Sequence, residues 1–117
     1  MLDKTKQDWR SAADDLEIEG RAFVNGRFEN AIGGETRDTF NPATGKKLAE
    51  VANCSSEDAD RAVARARQAF DAGTWSAMAP SDRKTVLVRW AQLIEENADE
   101  IALLECLDVG KPINQIT

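Results

Sequence analysis

The spacing of apolar and polar positions divides the chain into a first half of short apolar runs and a second half with helical periodicity. Near the start, apolar side chains recur at helical spacing within DWRSAADDLEI, which predicts a short helix over residues 8–18. Its apolar face is formed by Trp9, Ala12, Ala13 and Leu16.

Two turns rich in Asn, Gly and Pro predict hairpin-like strand pairs after this helix. In FVNGRF, Asn25-Gly26 lies between apolar residues, and both central residues of a type I′ turn need positive φ. In TFNPATGKKLAEVA, a strand ends at Phe40, a turn forms at Asn41-Pro42, and a second strand runs over Leu48–Ala52.

From Ser55 onward the apolar period changes to that of an α-helix. Ser55 and Asp58 resemble a capping box at the start of the first of three helices. Its apolar face is mostly alanine: Ala59, Ala62, Val63, Ala66, Ala69 and Phe70.

A second helix is predicted to begin near Pro80-Ser81 and to end at about Glu96, and a third runs from Ala98 to Val109. The second has an apolar stripe of Val86, Leu87, Trp90, Ala91, Leu93 and Ile94. Asn97 is expected to end the second helix and to cap the third. The third helix is apolar on two sides. We therefore expect that the elements of this chain cannot bury all three of Leu103, Leu104 and Leu107.

Gly110-Lys111 at the end of the third helix is not a phosphate-binding loop. A helix C-terminus presents bare carbonyls and a negative macrodipole, whereas a phosphate needs the N–H groups at the opposite end. Gly110 fits a left-handed C-cap instead, with Pro112 just beyond it.

The predicted elements do not complete a fold. Two or three strands and three or four helices are present, with no sign of a complete parallel sheet, although parallel α/β folds need alternating strands and helices. The pattern therefore predicts the opening portion of a larger α/β protein.

Composition narrows the possible partners. A net charge of −6 without a basic block argues against nucleic acid and anionic membrane, and no apolar run approaches the ~20 residues that span a bilayer. Without a signal peptide, the protein is expected in the cytoplasm. There is no histidine, and the two cysteines match no metal spacing, which argues against zinc and histidine-dependent catalysis.

No catalytic residue is assigned in this chain. Cys106 lies among leucines in a helix, and an inert buried thiol is expected. Cys54 precedes a helix N-cap, where its pKa could fall, but a structural role is favoured. The acidic run Glu95, Glu96, Asp99 and Glu100 is typical of a solvated face.

Taken in order, these motifs resemble the start of the aldehyde dehydrogenase superfamily, from about Arg21 to Ile113. The matching segments are FVNGRF, TFNPATGKKLAEV, DADRAVARARQAFDAGTWS and a long segment ending in LDVGKPI. The segment DWRSAADDLEIEGRAF is similar to the bacterial branch that oxidises γ-glutamyl-γ-aminobutyraldehyde and guanidinobutyraldehyde.

This resemblance implies an α/β fold in which residues 1–20 form a helical arm and residues 21–117 form the first part of a Rossmann-like NAD(P)-binding domain. It implies NAD or NADP as the cofactor of the whole enzyme and a small-molecule aldehyde as its substrate. The family's catalytic cysteine, its base and its cofactor-binding glycine motif would come after residue 117. Cys106 stands where the family has a small hydroxyl residue, so it does not inherit the catalytic role.

The resemblance also implies a candidate site for a monovalent cation. Some members hold such an ion with an aspartate and with backbone carbonyls from the segment before the Asn-Pro turn. The corresponding ligands here would be Asp108 and the carbonyls of Thr39 and Phe40. Carboxylate and carbonyl oxygens suit an alkali metal ion.

Two interpretations of the chain stay open. It is either the N-terminal segment of an aldehyde dehydrogenase, inactive by itself, or a short non-enzymatic protein derived from the family that acts as an interaction module. In both cases a homo-oligomer, or association through exposed apolar helices, is expected.

Overall fold

The computed structural model describes residues 4–116. Four α-helices, four β-strands and one 3-10 helix make up this part of the chain. In chain order they are α1 (Lys6–Asp14), β1 (Ala22–Val24), β2 (Arg27–Glu29), β3 (Thr36–Phe40), β4 (Lys47–Ala52), α2 (Ser56–Asp71), α3 (Pro80–Glu96), α4 (Ala98–Val109) and the 3-10 helix Ile113–Gln115. None of the helices in residues 4–116 has the length and apolarity needed to cross a bilayer.

Both predicted strand pairs form two-stranded sheets, β1 with β2 and β3 with β4. In the first, β1 and β2 pair antiparallel and the rings of Phe23 and Phe28 meet edge to face, with centroids 5.1 Å apart. The turn between them has φ of 54° at Asn25 and 79° at Gly26, as the Asn-Gly prediction requires.

The predicted limits of α1 are wrong at both ends. The helix begins two residues earlier than predicted because Thr5 and Asp8 form a capping box that the apolar pattern did not reveal. It ends at Asp14, with Asp15 as C-cap, so Leu16 lies beyond it.

The other helices follow the sequence pattern closely. Ser55 caps α2 through the predicted box with Asp58, and α3 and α4 have the predicted limits. Asn97 is the N-cap residue of α4 as predicted, but its side chain makes no cap hydrogen bond. Its amide instead donates to the carbonyl of Leu93 at 2.8 Å, which ends α3.

The chain divides into two compact units, and the boundary falls inside β3, β4 and α3. The described part of the first unit comprises residues 4–19, 38–49 and 92–116, and the second comprises residues 20–37 and 50–91. Among described residues, the buried side chains are few: Ala102, Leu103 and Ile116 in the first unit, Ala31 and Asp58 in the second.

The three α4 leucines, which were not all expected to be covered, differ in burial, and Leu103 is 5% exposed. Leu104 and Leu107 are half-buried. Much of the predicted apolar stripe of α3 is open to solvent. Five of its members are 40% to 61% exposed: Val86, Leu87, Trp90, Leu93 and Ile94. On α2, Val63 and Phe70 are also exposed.

The buried carboxylate of Asp58 organises the second unit. It accepts hydrogen bonds from the backbone N–H groups of Ser55 and Ile32, each at 2.9 Å, and from the guanidinium of Arg61 at 3.2 Å. Arg61 also reaches Glu29 at 3.4 Å. The contact with Ile32 joins the start of α2 to the segment after β2. Because the carboxylate accepts several hydrogen bonds, its burial leaves it with satisfied partners.

Candidate functional site

Two of the three residues predicted to hold a cation, Thr39 and Asp108, are in contact within the first unit. Thr39 lies near the end of β3 and Asp108 lies in the last turn of α4. The Thr39 hydroxyl donates a hydrogen bond to Oδ1 of Asp108 at 3.2 Å. Thr39 is half-buried, whereas Asp108 and Phe40 are exposed. The family resemblance implied the backbone carbonyl of Thr39 as a ligand, whereas the observed contact is made by its side-chain hydroxyl. No pattern in the sequence predicts this contact.

The turn after Phe40 fixes the direction in which β3 ends. The side-chain carbonyl of Asn41 accepts a hydrogen bond from the N–H of Ala43 at 2.8 Å, and its backbone carbonyl accepts one from Gly45 at 2.7 Å. The N–H of Asn41 donates to the carbonyl of Lys46 at 2.9 Å. An asparagine that bonds its own turn in this way holds the following Pro42 in place.

Pro42 lies directly against the C-cap of α4. Gly110 has φ of 75°, and its N–H donates to the carbonyl of Cys106 at 3.1 Å, which closes the helix with a left-handed cap. A Cβ on Gly110 would come within 3.0 Å of Cγ of Pro42. Glycine is therefore required here by both the backbone conformation and the neighbour.

The electrostatics of this site favour a cation. The carboxylate of Asp108 and the carbonyls of the last helical turn lie at the negative end of the α4 macrodipole, and that turn contains no basic residue. No lysine or arginine within residues 4–116 pairs with Asp108. Lys111, just after the helix, is 3.5 Å from Glu105 instead. Phe40 is the last residue of β3.

The remaining candidate groups do not form a second site. Cys106 is half-buried in α4, whereas Cys54 is exposed. Residues 4–116 contain no group of three or more histidine, cysteine or acidic side chains that could hold a metal ion.

A cleft of about 470 Å³ lies between α1 and α4 in the first unit. At its edge the Lys4 ammonium is 2.6 Å from Asp99 and 4.8 Å from the centre of the Trp9 ring. The hydrogen bond and charge of Lys4 lower the pKa of the Asp99 carboxyl. This ion pair joins the segment before α1 to the first turn of α4.

Comparison with known proteins identifies the family. Residues 28–117 match the aldehyde dehydrogenase family, and the chain belongs to it. The aminoacetaldehyde dehydrogenase of Pseudomonas aeruginosa is 45% identical over 111 residues, which cover 95% of this chain and 22% of that protein. The chain therefore spans about a fifth of the length of this relative.

Solved structures agree with this assignment. The γ-glutamyl-γ-aminobutyraldehyde dehydrogenase of Burkholderia cenocepacia superposes with a TM-score of 0.92 at 52% identity, over 94% of this chain and 22% of that one. An indole-3-acetaldehyde dehydrogenase of P. syringae in complex with NAD+ superposes with a TM-score of 0.94 at 51% identity, over 97% of this chain and 23% of that one.

The predicted fold class is confirmed by these similarities. The two small hairpins and four helices are the N-terminal segment of an aldehyde dehydrogenase NAD-binding domain, and no complete parallel sheet is present in residues 4–116. The predicted resemblance to the aminoaldehyde branch is likewise supported by the similarity to the B. cenocepacia enzyme.

Proposed function

We propose that this chain is the N-terminal segment of an NAD(P)-dependent aldehyde dehydrogenase that oxidises an aminoaldehyde from polyamine breakdown to a carboxylate. The main support for this proposal is the superposition of 97% of the chain on an NAD+-bound family member with a TM-score of 0.94. Similarity to dehydrogenases of aminoacetaldehyde and of γ-glutamyl-γ-aminobutyraldehyde supports the substrate class.

The role of this segment in the reaction is structural. When bound, NAD(P)+ accepts the hydride that leaves the aldehyde carbon, and this chemistry also needs a nucleophile, a base and an oxyanion donor. None of these groups is assigned to residues of this chain. Its own contribution is to join the end of β3 to the end of α4, through Thr39, Asp108 and the packing of Pro42 on Gly110.

The function is tested by a chimera. This chain replaces the matching residues of the P. aeruginosa aminoacetaldehyde dehydrogenase, and NADH formation is measured with an aminoaldehyde. The proposal expects a soluble chimera that oxidises the aminoaldehyde. A folded chimera that forms no NADH would contradict it.

We further propose that Asp108 and the carbonyls of Thr39 and Phe40 hold a monovalent cation. The donor set fits a hard alkali metal ion, because it offers one carboxylate and carbonyl oxygens at the negative end of a helix. Bound to the native state alone, such an ion would raise stability with its concentration.

The cation proposal is tested by thermal unfolding of the same chimera during potassium and sodium titrations at constant ionic strength. Stabilisation should disappear in Asp108→Asn and persist in the neighbouring Glu105→Gln. An unchanged ion response in Asp108→Asn would exclude this carboxylate as a ligand.

The alternative function, a non-enzymatic interaction module, is favoured by one observation, the exposed apolar side chains of α3. We also propose a homo-oligomeric enzyme in the cytoplasm, with residues 1–20 as a separate arm. Sedimentation of the chimera tests the oligomeric state.

A further inference from the structure

The cleft between α1 and α4 has an apolar lining that can receive an aliphatic chain. Leu103, which is buried, lines it together with the half-buried Ala12 and Leu16. The half-buried ring of Trp9 lines the same cleft. Its volume of about 470 Å³ is that of a small-molecule site, and such sites combine an apolar lining with a few polar groups that fix the ligand.

The polar groups of the cleft are mostly acidic. One ammonium and four carboxylates line it: Lys4, Asp15, Glu17, Asp99 and Glu100. Lys4 pairs with Asp99, but within residues 4–116 no ion pair forms at the other three carboxylates. The side chains of Asp15 and Glu17 are called the acidic end of the cleft. They follow the last turn of α1, where the helix macrodipole is negative and no basic residue is present, so this end favours a cation.

The ammonium of Lys4 shows which chemical group the opposite end of the cleft accepts. It lies 2.6 Å from Oδ2 of Asp99 and 4.8 Å from the centre of the Trp9 ring. A cation over an aromatic face is the arrangement by which proteins recognise alkylammonium ligands. The side chains of Trp9 and Asp99 are called the aromatic end. Lys4 precedes α1 and its side chain is 40% exposed, so its ammonium can leave this end without breaking a helical turn.

The two ends of the cleft are separated along α1. From Trp9 to Asp15 the helix rises about 9 Å, and the apolar lining lies between α1 and α4 over this length. We propose that the cleft binds an alkyl diammonium, with one ammonium group at the aromatic end, the other at the acidic end and the carbon chain on the apolar lining. In the free protein, Lys4 occupies the aromatic end in place of the ligand.

Calorimetric titration tests this site in the chimera, in which the chain replaces the matching residues of the P. aeruginosa aminoacetaldehyde dehydrogenase. The probe is diaminohexane at constant ionic strength, in the absence of NAD(P)+ and of aldehyde. The result is therefore independent of the proposed dehydrogenase function. We expect saturable binding of diaminohexane and weaker binding of hexylamine, which has a single ammonium group.

Two neighbouring aspartates provide a matched pair of variants. Asp15 lines the cleft, whereas Asp14, which is also exposed, does not. Asp15→Asn should weaken the binding of diaminohexane about two- to fivefold, the effect of losing one exposed charge pair. Asp14→Asn should leave the affinity unchanged. Urea unfolding of each variant chimera checks that the fold is retained.

Lys4→Met separates the proposed site from a purely structural ion pair. Because this change frees the aromatic end, it should strengthen the binding of diaminohexane about two- to fivefold. If Lys4 served only to tie α1 to α4, its removal would weaken binding or leave it unchanged.

Four results would overturn the inference. They are no saturable binding of diaminohexane, equal affinity for hexylamine, equal effects of Asp14→Asn and Asp15→Asn, and binding that is not strengthened by Lys4→Met. A chimera that oxidises aminoaldehydes but shows any of these results would contradict the diammonium site and leave the proposed function intact.

Discussion

The hydroxyl of Thr39 donates to the carboxylate of Asp108 at 3.2 Å, across a sequence separation of 69 residues. This contact joins the end of a strand to the last turn of a helix formed much later in the chain. Pro42 and Gly110 meet beside it, so a turn and a helix cap are held against each other by one polar and one apolar contact. The local geometry of the candidate cation site depends on this junction.

Removing the Thr39 hydroxyl should separate its structural role from cation binding. Thr39→Val loses one partly exposed hydrogen bond but keeps the backbone carbonyl, so we expect a loss of about 0.5–1 kcal/mol in the free energy of unfolding. The potassium response of the chimera should remain. Urea unfolding followed by circular dichroism, with and without potassium, measures the loss of unfolding free energy and the potassium response. Loss of the ion response in Thr39→Val would mean that the hydroxyl, not the carbonyl, is the ligand.

Gly110→Ala should lower the free energy of unfolding more than a glycine-to-alanine change at another left-handed position. Alanine at a left-handed position costs about 1–2 kcal/mol. At Gly110 the new Cβ would also come within 3.0 Å of Pro42. Gly34→Ala is the control, since its φ is 70° and nothing lies within 4 Å of the added Cβ. Equal losses of unfolding free energy in the two variants would show that Pro42 does not restrict this position.

The capping box of α2 should contribute measurably to stability. Ser55→Ala is expected to cost about 0.5–2 kcal/mol, the usual loss for an N-cap. Asp58→Asn should cost more, because the carboxylate also binds the Ile32 N–H and Arg61. Asp60→Asn, at an exposed position of the same helix, is the control. Denaturant unfolding of the three variants ranks their losses in the free energy of unfolding. A smaller loss for Asp58→Asn than for Ser55→Ala would contradict the expected ranking.

Asp58 also predicts a pH dependence. Hydrogen bonds from the backbone N–H of Ser55 and then of Ile32 lower the pKa of this carboxyl below its usual value of 3.8. Because the folded pKa is lower than the unfolded one, the stabilisation is fully present above 3.8 and is lost as the pH falls through the folded value. The difference in stability between the natural chain and Asp58→Asn should therefore shrink in acid. A difference that stays constant from neutral pH to acid would contradict this assignment.

Local patterns predicted most of the secondary structure but little of the packing. The Asn25-Gly26 turn, the Ser55–Asp58 box and the Gly110 cap were predictable because each depends on a few neighbouring residues. The Ile32–Asp58 and Thr39–Asp108 hydrogen bonds were not, since they join residues far apart in sequence.

Burial was the least predictable property. The apolar stripe of α3 has the spacing of a core-facing helix, yet its side chains are exposed. Periodicity identifies the side of a helix that needs a neighbour, but it does not show whether the same chain supplies that neighbour. For the same reason, periodicity did not show which of the three α4 leucines is buried, and the structure buries Leu103.

The central claim is that this chain contributes structure, and no reacting group, to an aldehyde dehydrogenase. The most direct test is to measure NADH formation and NAD+ binding by the purified 117-residue chain with an aminoaldehyde, by absorbance and by calorimetry. We expect neither turnover nor binding from the chain alone. Formation of NADH by the pure chain, with no other polypeptide present, would contradict the account.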